Sequence, residues 1–380
     1  MGPLAGVRIV ELAGIGPAPL SAMMLADLGA TVIRVDRKEP SGLGLPRPVQ
    51  FDFGLRGRKS IRVDLKDPAG VALVLDLIGQ ADALIEGFRP GVMERLGLGP
   101  EPCLARNPKL VYGRVTGWGQ DGPLAQAAGH DINYISITGV LNAIGPAGAK
   151  PSIPLNVIGD YAGGSLYLAL GLLAGIIEAR TSGEGQVVDA AIVDGVASLM
   201  TVLAGLRAAG MSSLERGTNI LDSGAPFYDV YECADGKYVS IGPIERKFYL
   251  QLLQRLGLQG AGLEDHMDRR IWPRTREAFT AKFKMKTRAE WTELLEGTDA
   301  CFAPVLDLDE APYHPHLKAR ETFVSVGGIT APAPAPRFSR TVPPVPEPPV
   351  ELSAENAAAA LAGWLTGEQI TALAAAGTFA

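Results

Sequence analysis

Short apolar runs alternate with longer helical segments through the first half of the chain. Residues 7–12 (VRIVEL) and 31–36 (TVIRVD) enclose a Gly-Pro turn and an apolar helical segment, which predicts a β-α-β unit. The strand pattern recurs at four further places, residues 60–65, 83–86, 110–116 and 186–192. This alternation predicts an α/β domain with an open parallel sheet, whose ligands bind beyond the carboxyl ends of the strands.

The pattern changes after residue 192. Residues 193–209 form a long apolar segment that predicts one helix linking two domains, and residues 228–241 alternate as a hairpin with Asp235-Gly236 at its turn. Helical segments rich in Arg and Lys follow up to about residue 305, so this part predicts a smaller α+β domain. Residues 331–349 are rich in proline, which indicates an extended arm, and the Ala-rich tail predicts helices.

Composition limits the classes of function. At 380 residues, 47% of them hydrophobic, the chain is long enough for about two domains with sizeable cores. The net charge of −6 argues against nucleic-acid binding, so an anionic ligand has to be met by a local cluster of Arg and Lys. The three cysteines lie far apart without metal-ligand spacing, which indicates intracellular free thiols and no metal site.

The apolar run at residues 161–177 has the composition of a short membrane span. It is only 17 residues long, contains four glycines and leads directly into Glu178, so we expect a buried core helix. The first residues pass directly into a strand pattern, which indicates that no signal peptide precedes the domain. We therefore expect a cytoplasmic protein without a membrane span.

Two candidate acid/base groups lie in residues 121–165. His130 is the only histidine before residue 266, and Asp160 follows thirty positions later between glycines. Each precedes an apolar helical segment, and the backbone N–H groups at such helix starts favour negative charge nearby. Taken alone, a histidine at a helix start is more often a structural residue and Asp160 would be an N-cap. The later His266, His314 and His316 have no partner pattern, which favours packing or surface roles.

A basic cluster follows the second predicted strand. The first β-α turn has Gly14 and Gly16 but Pro19 where a dinucleotide fingerprint needs glycine, so a nicotinamide dehydrogenase is disfavoured. Guanidinium groups suit phosphates, so the cluster predicts either a site for a phosphorylated ligand or a solvated basic loop. Its members are Arg37, Arg56, Arg58, Lys59 and Lys66, with Arg89 after a later strand.

Several motifs occur in the order found in one known family. They include ADLGATVIRVDR, VDLKDPAG, LIEGFRPGVMERLGLGP, TGWGQDGP, AGHDINYIS, GEGQVVDAAIVDG and GAPFYDVYECADGKYVSIGPIE. From residue 4 to about 341 the chain resembles the family III CoA-transferase superfamily, and within it the members that racemise 2-methylacyl-CoA thioesters. The sequence departs from the family pattern at residues 38–57.

The resemblance implies a fold that composition does not reveal. It implies a Rossmann-like large domain and a smaller α+β domain in an interlocked homodimer, with each active site at the interface with the partner subunit's small domain. The expected division is a large domain at 1–192, a linker helix region at 193–223, a small domain at 224–305 and a C-terminal return to the large domain at 306–380.

The resemblance also implies the roles of individual residues. His130 and Asp160 would be the two bases of a cofactor-independent epimerase, and Glu245 would support His130, although Arg246 follows it where racemase members have proline. CoA is part of the acyl-CoA substrate, and its contacts by position are Ile15, Arg37, Val63, Asp64, Leu65, Lys66, Arg89, Gly129, Asp131, Ile132, Asn133 and Tyr134.

Other functions are compatible with parts of this pattern. In a CoA-transferase of the same family, the aspartate at position 160 would act as a nucleophile and form an enzyme-bound thioester. A non-catalytic acyl-CoA-binding protein would need the basic surface but not His130, Asp160 and Glu245 together. The combination of these three residues favours an isomerase.

Overall fold

Six parallel strands form the sheet at the centre of the first of two units in the chain. The first unit comprises Met1–Thr138, Leu155–Leu199 and Ala319–Ala380, and the second comprises Gly139–Pro154 and Met200–Lys318. The structure is a computed structural model that describes residues 1–39, 42 and 44–380. Three positions of the loop in which the sequence departs from the family pattern, Pro40, Ser41 and Leu43, lie outside the described residues.

The predicted alternation of strands and helices is confirmed in the first unit, which is an α/β fold. Its sheet has the order β3-β2-β1-β4-β5-β6, and each neighbouring pair is parallel. The strands are β1 (Arg8–Leu12), β2 (Thr31–Asp36), β3 (Lys59–Arg62), β4 (Ala83–Glu86), β5 (Val111–Thr116) and β6 (Gln186–Ala191).

Fifteen α-helices occur in the described residues, together with one π-helical segment at Val157–Ser165. They are α1 (Pro17–Asp27), α2 (Pro68–Ile78), α3 (Val92–Arg95), α4 (Pro100–Arg106), α5 (Asp131–Ile137), α6 (Val140–Ala143), α7 (Leu166–Ser182), α8 (Ile192–Leu199), α9 (Thr201–Ala208), α10 (Arg246–Leu256), α11 (Trp272–Phe283), α12 (Arg288–Leu295), α13 (Pro315–Ala319), α14 (Ala354–Leu361) and α15 (Gly367–Ala375).

Successive strand residues pack into cores on opposite faces of the sheet. Val10 and Ile33 are fully buried with α2 and α14 on one face. Ile9 and Val32 are buried with α1 and α7 on the other. Because each fully buried aliphatic side chain of this size contributes roughly 1.5–3 kcal/mol, the two layers of helices hold the strand ends in fixed positions.

Helix α7 is the apolar segment that resembled a membrane span. Residues Val157–Ser182 are long and apolar enough to cross a membrane, and 44% of the most apolar part is buried. Leu168, Leu172 and Ile176 belong to the core on the α1 side of the sheet. This packing agrees with the expected core helix.

The second unit contains the predicted hairpin. Strands β7 (Asp229–Glu232) and β8 (Tyr238–Ile241) are antiparallel, and β9 (Phe302–Pro304) extends the sheet in the order β7-β8-β9. Gly236 has a φ of +74° at the turn, a conformation that favours glycine. Aromatic side chains of α10, α11 and α12 fill its core, among them Tyr249, Phe279 and Trp291.

The long apolar segment predicted as one helix is two helices. Helix α8 ends at Leu199 and α9 begins at Thr201, and the two units divide at this point. A short antiparallel pair, β10 (Phe323–Val326) and β11 (Ile329–Pro332), precedes the proline-rich residues. Further on, α14 packs into the first unit's core, and the terminal Ala380 exchanges backbone hydrogen bonds with Arg62.

Candidate active site

His130 directly precedes α5, as the sequence indicates. Its backbone is extended, and its N–H donates to Oδ1 of Asn133 at 3.0 Å, which holds the residue at the helix start. The His130 side chain is exposed. The helix start therefore fixes the backbone of His130, while the imidazole ring remains accessible to a ligand.

Asp160 is the fourth residue of the π-helical segment, so its expected position as an N-cap is wrong. The backbone N–H of Asp160 donates to Oδ1 of Asp131 at 2.7 Å, and Ser165 Oγ donates to the Asp160 carbonyl at 3.1 Å. π-Helical turns are rare and occur frequently at functional sites. Asp160 therefore lies within the wider turn, where its backbone N–H and carbonyl are both hydrogen-bonded, and not at the end of a helix.

Glycines allow this segment to approach its neighbours. A Cβ atom on Gly159 would lie 2.2 Å from Oδ1 of Asp131, closer than any real contact. Cβ atoms on Gly163 and Gly164 would lie 2.5 Å from Val196 and 2.8 Å from Pro17, respectively. The sequence GDYAGG therefore brings Asp160 close to α1, α5 and α8.

Asp131 links the two candidate bases. It is the first residue of the helix that His130 precedes, and its buried carboxylate accepts the Asp160 N–H. Burial raises the pKa of Asp131, while hydrogen bonds from the backbone of Asp160 and Gly159 lower it. A residue expected by position to contact CoA thus holds His130 and Asp160 in one place within the first unit.

The environment of the Asp160 carboxylate raises its pKa. Burial is the largest cause and is opposed by a hydrogen bond from Asn156 Nδ2 to Oδ2 at 3.4 Å. The negative charge of Asp131 also raises the pKa of Asp160, and the nearby His130 lowers it. The two candidate bases therefore interact electrostatically, and the Asp131 carboxylate connects the segments that carry them.

The site lies at the carboxyl ends of the parallel strands. A Cβ atom on Gly16, in the turn after β1, would lie 3.5 Å from Oδ2 of Asp160. The ring of Tyr134 packs against Gly117, just after β5, and edge-on against Trp118 with centroids 4.7 Å apart. These are the positions at which α/β sheets bind ligands.

Tyr134 and Arg89 belong to the same region. The Tyr134 hydroxyl donates to the carbonyl of Gly129, which braces the residue before His130. Burial raises the pKa of Tyr134 to about 12, and the charge of Asp160 adds to the effect whereas Arg89 opposes it. The hydroxyl is therefore a hydrogen-bond donor at neutral pH, not a base.

A separate groove contains two of the residues expected to contact CoA, Leu65 and Lys66. It has a volume of about 620 Å³, and Leu65, Lys66 and Arg95 line it together with apolar residues of α2. Arg95 was not predicted, although its position in MERLG, one turn after GFRPGV, places it on α3 with its charge toward the groove. A cationic pair beside apolar surface suits phosphates and a flat base.

The other expected CoA contacts differ in exposure. Val63 is buried and pairs with Phe379, and Asp64 Oδ1 accepts the N–H of Lys66 at 2.9 Å. Arg37 is exposed, with its guanidinium 5.7 Å from the Phe88 ring centroid. Ile15 and Ile132 are large hydrophobic side chains that remain exposed, at 42% and 38%. Ile15 follows β1 and Ile132 lies in the first turn of α5, and exposed apolar side chains at these two places suit an acyl ligand.

The interpretation of the whole basic cluster as a phosphate site is wrong for two of its members. Arg56 is buried in an ion pair with Asp27 at 2.6 Å, and Arg58 is buried in a pair with Glu11 at 2.5 Å. Both guanidinium groups neutralise carboxylates in the interior of the first unit, since a buried carboxylate requires a cationic partner. Arg37 and Lys66 stay available to a ligand.

Glu245 lies in the second unit, directly before α10. Its side chain is exposed and forms no cap bond, and its backbone carbonyl accepts the N–H groups of Phe248 and Tyr249 at 3.0 Å. Among the described residues no ion pair joins it to Arg246. The carboxylate is therefore open to an external partner.

Comparisons with known proteins give a consistent result. The model of CoA-transferase family III matches residues 4–359. Alpha-methylacyl-CoA racemase of Mus musculus is 45% identical over 344 residues, which are 90% of this chain and 88% of that protein. The Homo sapiens protein of the same name is 42% identical over 348 residues, with the same coverage.

A solved structure shares the fold. The crystal structure of a CaiB/BaiF family protein from Brucella suis has a TM-score of 0.79 and 27% sequence identity. The structural match covers 96% of this chain and 100% of the Brucella suis chain. The likeness extends over nearly the whole length in sequence and in fold.

Proposed function

The chain belongs to CoA-transferase family III, and on this basis we propose that it is an isomerase that interconverts the (R) and (S) epimers of 2-methylacyl-CoA thioesters. The observation that carries the proposal is the pair of His130 and Asp160, which Asp131 holds together at the carboxyl ends of the sheet strands. The relatives named as racemases support the same reaction.

The reaction needs two groups on opposite faces of the α-carbon. Neutral His130 removes the α-proton of the (S) epimer, and protonated Asp160 returns a proton to the other face; for the (R) epimer the roles reverse. Burial raises the pKa of Asp160, which favours the protonated carboxyl that one direction requires. Proton transfer between these side chains and the thioester uses no further cofactor.

The start of α5 is available to the enolate oxygen. Helix α5 begins at Asp131, beside His130, and its N-terminal N–H groups carry a partial positive charge. The N–H of Asp160 is not available because it donates to the Asp131 carboxylate. We therefore assign oxyanion stabilisation to the α5 side of the site, not to both predicted helix starts.

The groove beside α2 provides the CoA site in this proposal. Lys66 and Arg95 of the groove supply cationic contacts for phosphates, and Leu65 supplies an apolar surface for the adenine. Arg37, which is exposed outside the groove lining, is a further cationic contact. The charge of Arg89 acts on Tyr134, beside the candidate bases, and adds a further cationic contact. The acyl chain then extends over the exposed Ile15 and Ile132.

An interlocked homodimer with Rossmann-like large domains is part of the same proposal. Helix α7 exposes an apolar stripe of Leu166, Leu170 and Ile177, which are 53%, 63% and 68% exposed. A contiguous apolar stripe of this kind marks an interaction surface, and a second copy of the chain is the partner that the family resemblance implies. Glu245 then supports His130 of the partner subunit, and the enzyme acts in the cytoplasm.

The competing transferase reaction uses Asp160 as a nucleophile but needs no second base. The test is to incubate the protein with pure (S)-2-methylacyl-CoA and no free carboxylic acid, and to follow the epimers by chiral chromatography. We expect a mixture of both epimers without any change in CoA attachment. A free carboxylic acid is then added to a second sample that contains acyl-CoA labelled in the CoA part. An unchanged epimer in the first sample, with transfer of labelled CoA to the acid in the second, would assign the chain to the transferases.

A further inference from the structure

We propose that His266 is a positioning residue that holds the Glu245 loop in its working conformation. The His266 side chain belongs to a residue that is only 5% exposed, and its Nε2 lies 2.7 Å from the carbonyl oxygen of Ile244. Ile244 directly precedes Glu245. The inference rests on the proposed role of Glu245 in epimerisation.

The hydrogen bond has a definite direction. A carbonyl oxygen can only accept, so Nε2 of His266 carries the hydrogen and donates it to Ile244. Among the described residues, His266 is the one side chain that hydrogen-bonds residues 242–245. A buried histidine is thereby used to fix a carbonyl in the loop that carries the exposed carboxylate.

The other hydrogen bonds of this loop join backbone groups, and the Ile244 side chain packs against the core of the second unit. Gly242 donates its N–H to the Cys301 carbonyl at 2.9 Å, and Ile244 donates to Gly242 at 2.9 Å. The Glu245 carbonyl accepts from the first turn of α10. Because the Glu245 side chain has no cap bond, the direction of its carboxylate depends on the backbone that these contacts and His266 fix.

The position of His266 is set by the core of the second unit. Its ring stacks on Tyr249 with centroids 4.6 Å apart, and it meets Phe227 edge-on at 4.8 Å. The indole N–H of Trp272 donates to the His266 carbonyl at 2.7 Å. The aromatic core therefore orients the imidazole, and the hydrogen bond from the imidazole to Ile244 fixes the backbone next to Glu245.

The experiment compares two substitutions of similar length and flexibility. His266→Met removes the donor, whereas His266→Gln keeps an N–H group that reaches the Ile244 carbonyl. We expect H266M to lower kcat of epimerisation by roughly tenfold to a hundredfold, the scale of a misplaced catalytic group, with little change in KM. H266Q should restore most of kcat, which a purely structural role would not explain.

A matched control tests whether the loss of any hydrogen bond in this core lowers kcat. Trp291→Phe removes an indole N–H that donates to the Phe283 carbonyl at 2.8 Å, away from the Glu245 loop. We expect W291F to lower the melting temperature but to leave kcat unchanged. Thermal unfolding verifies that each variant is folded, and His266→Phe, which keeps the ring, replaces H266M if the latter unfolds.

A double-mutant cycle tests the role of His266 separately from the proposed role of Glu245. If His266 acts through Glu245, H266M lowers kcat in the wild-type background but has almost no further effect on E245Q. A large loss in E245Q with unchanged kcat in H266M, or equal losses in both backgrounds, overturns the role of His266 alone. An unchanged kcat in E245Q overturns the proposed role of Glu245, and the inference about His266 fails with it.

Discussion

Asp131 is the residue on which the geometry of both proposed bases depends. One of its carboxylate oxygens accepts the Asp160 N–H, and its own backbone begins the helix that follows His130. A buried carboxylate that receives backbone hydrogen bonds is a rigid link between two loops. The chemistry we propose therefore relies on a third residue that need not exchange a proton itself.

The first prediction concerns the two bases. We expect His130→Ala and Asp160→Ala each to lower the epimerisation rate by about two to four orders of magnitude, the range typical of lost acid/base groups. Affinity for CoA, measured by calorimetry, should stay within a few fold because neither side chain is assigned to the CoA groove. His316→Ala, a change of an exposed histidine, is the control; wild-type turnover in either base variant would contradict the assignment.

The second prediction concerns pH. Asn156 Nδ2 donates to the Asp160 carboxylate and so lowers its pKa. Asn156→Ala should therefore raise the pKa of Asp160, and the protonated carboxyl should persist to higher pH. In the direction in which Asp160 gives the proton, the alkaline limb of kcat/KM should move upward in pH. A shift of this limb to lower pH would contradict the placement of Asn156.

At the scale of elements, the π-helical segment is a conformation that the local sequence pattern does not predict. Residues preceding an apolar helix predict an N-cap at Asp160, but the wider turn depends on Gly163 and Gly164 packing against Val196 and Pro17. Those neighbours come from other elements, so the local sequence does not contain them. For the same reason the local sequence does not show that Arg56 and Arg58 are buried, because their partners Asp27 and Glu11 come from distant positions in the chain.

The third prediction tests the close approach of this segment to α5. Gly159→Ala would place a methyl group 2.2 Å from Oδ1 of Asp131, so it should displace Asp160 and abolish most epimerisation. Gly205→Ala, in α9 with nothing within 4 Å of the new Cβ, is the control and should stabilise the helix by about 0.5–1 kcal/mol. Full activity of G159A would contradict the described packing.

The fourth prediction concerns stability. Arg56→Met leaves the buried Asp27 without its cation, which should cost about 3–5 kcal/mol in urea unfolding. Arg106→Met breaks an exposed pair with Asp76 and should change the free energy of unfolding by at most about 1 kcal/mol. Equal effects would show that the Arg56 pair is not buried.

At the scale of the whole molecule, the sequence alone predicts much of the architecture. Strand patterns such as ALIE at residues 83–86 and the Asp235-Gly236 turn are local signals, and the structure contains both elements. The division between units falls at Met200, inside a segment that reads as one helix, because apolar periodicity does not show where a helix is interrupted. The pairing of His130 with Asp160 follows from the family resemblance, and its physical basis in Asp131 required the structure.

The most direct test of the account is proton exchange at the α-carbon. The wild-type protein is incubated in deuterated water with one pure epimer of a 2-methylacyl-CoA and no acceptor acid, and mass and configuration at that carbon are followed together. We predict that deuterium enters at the α-carbon together with inversion, because His130 and Asp160 exchange protons with solvent. No deuterium after long incubation, with CoA transferred once a free acid is added, would contradict two-base epimerisation and leave Asp160 as the nucleophile of a transferase.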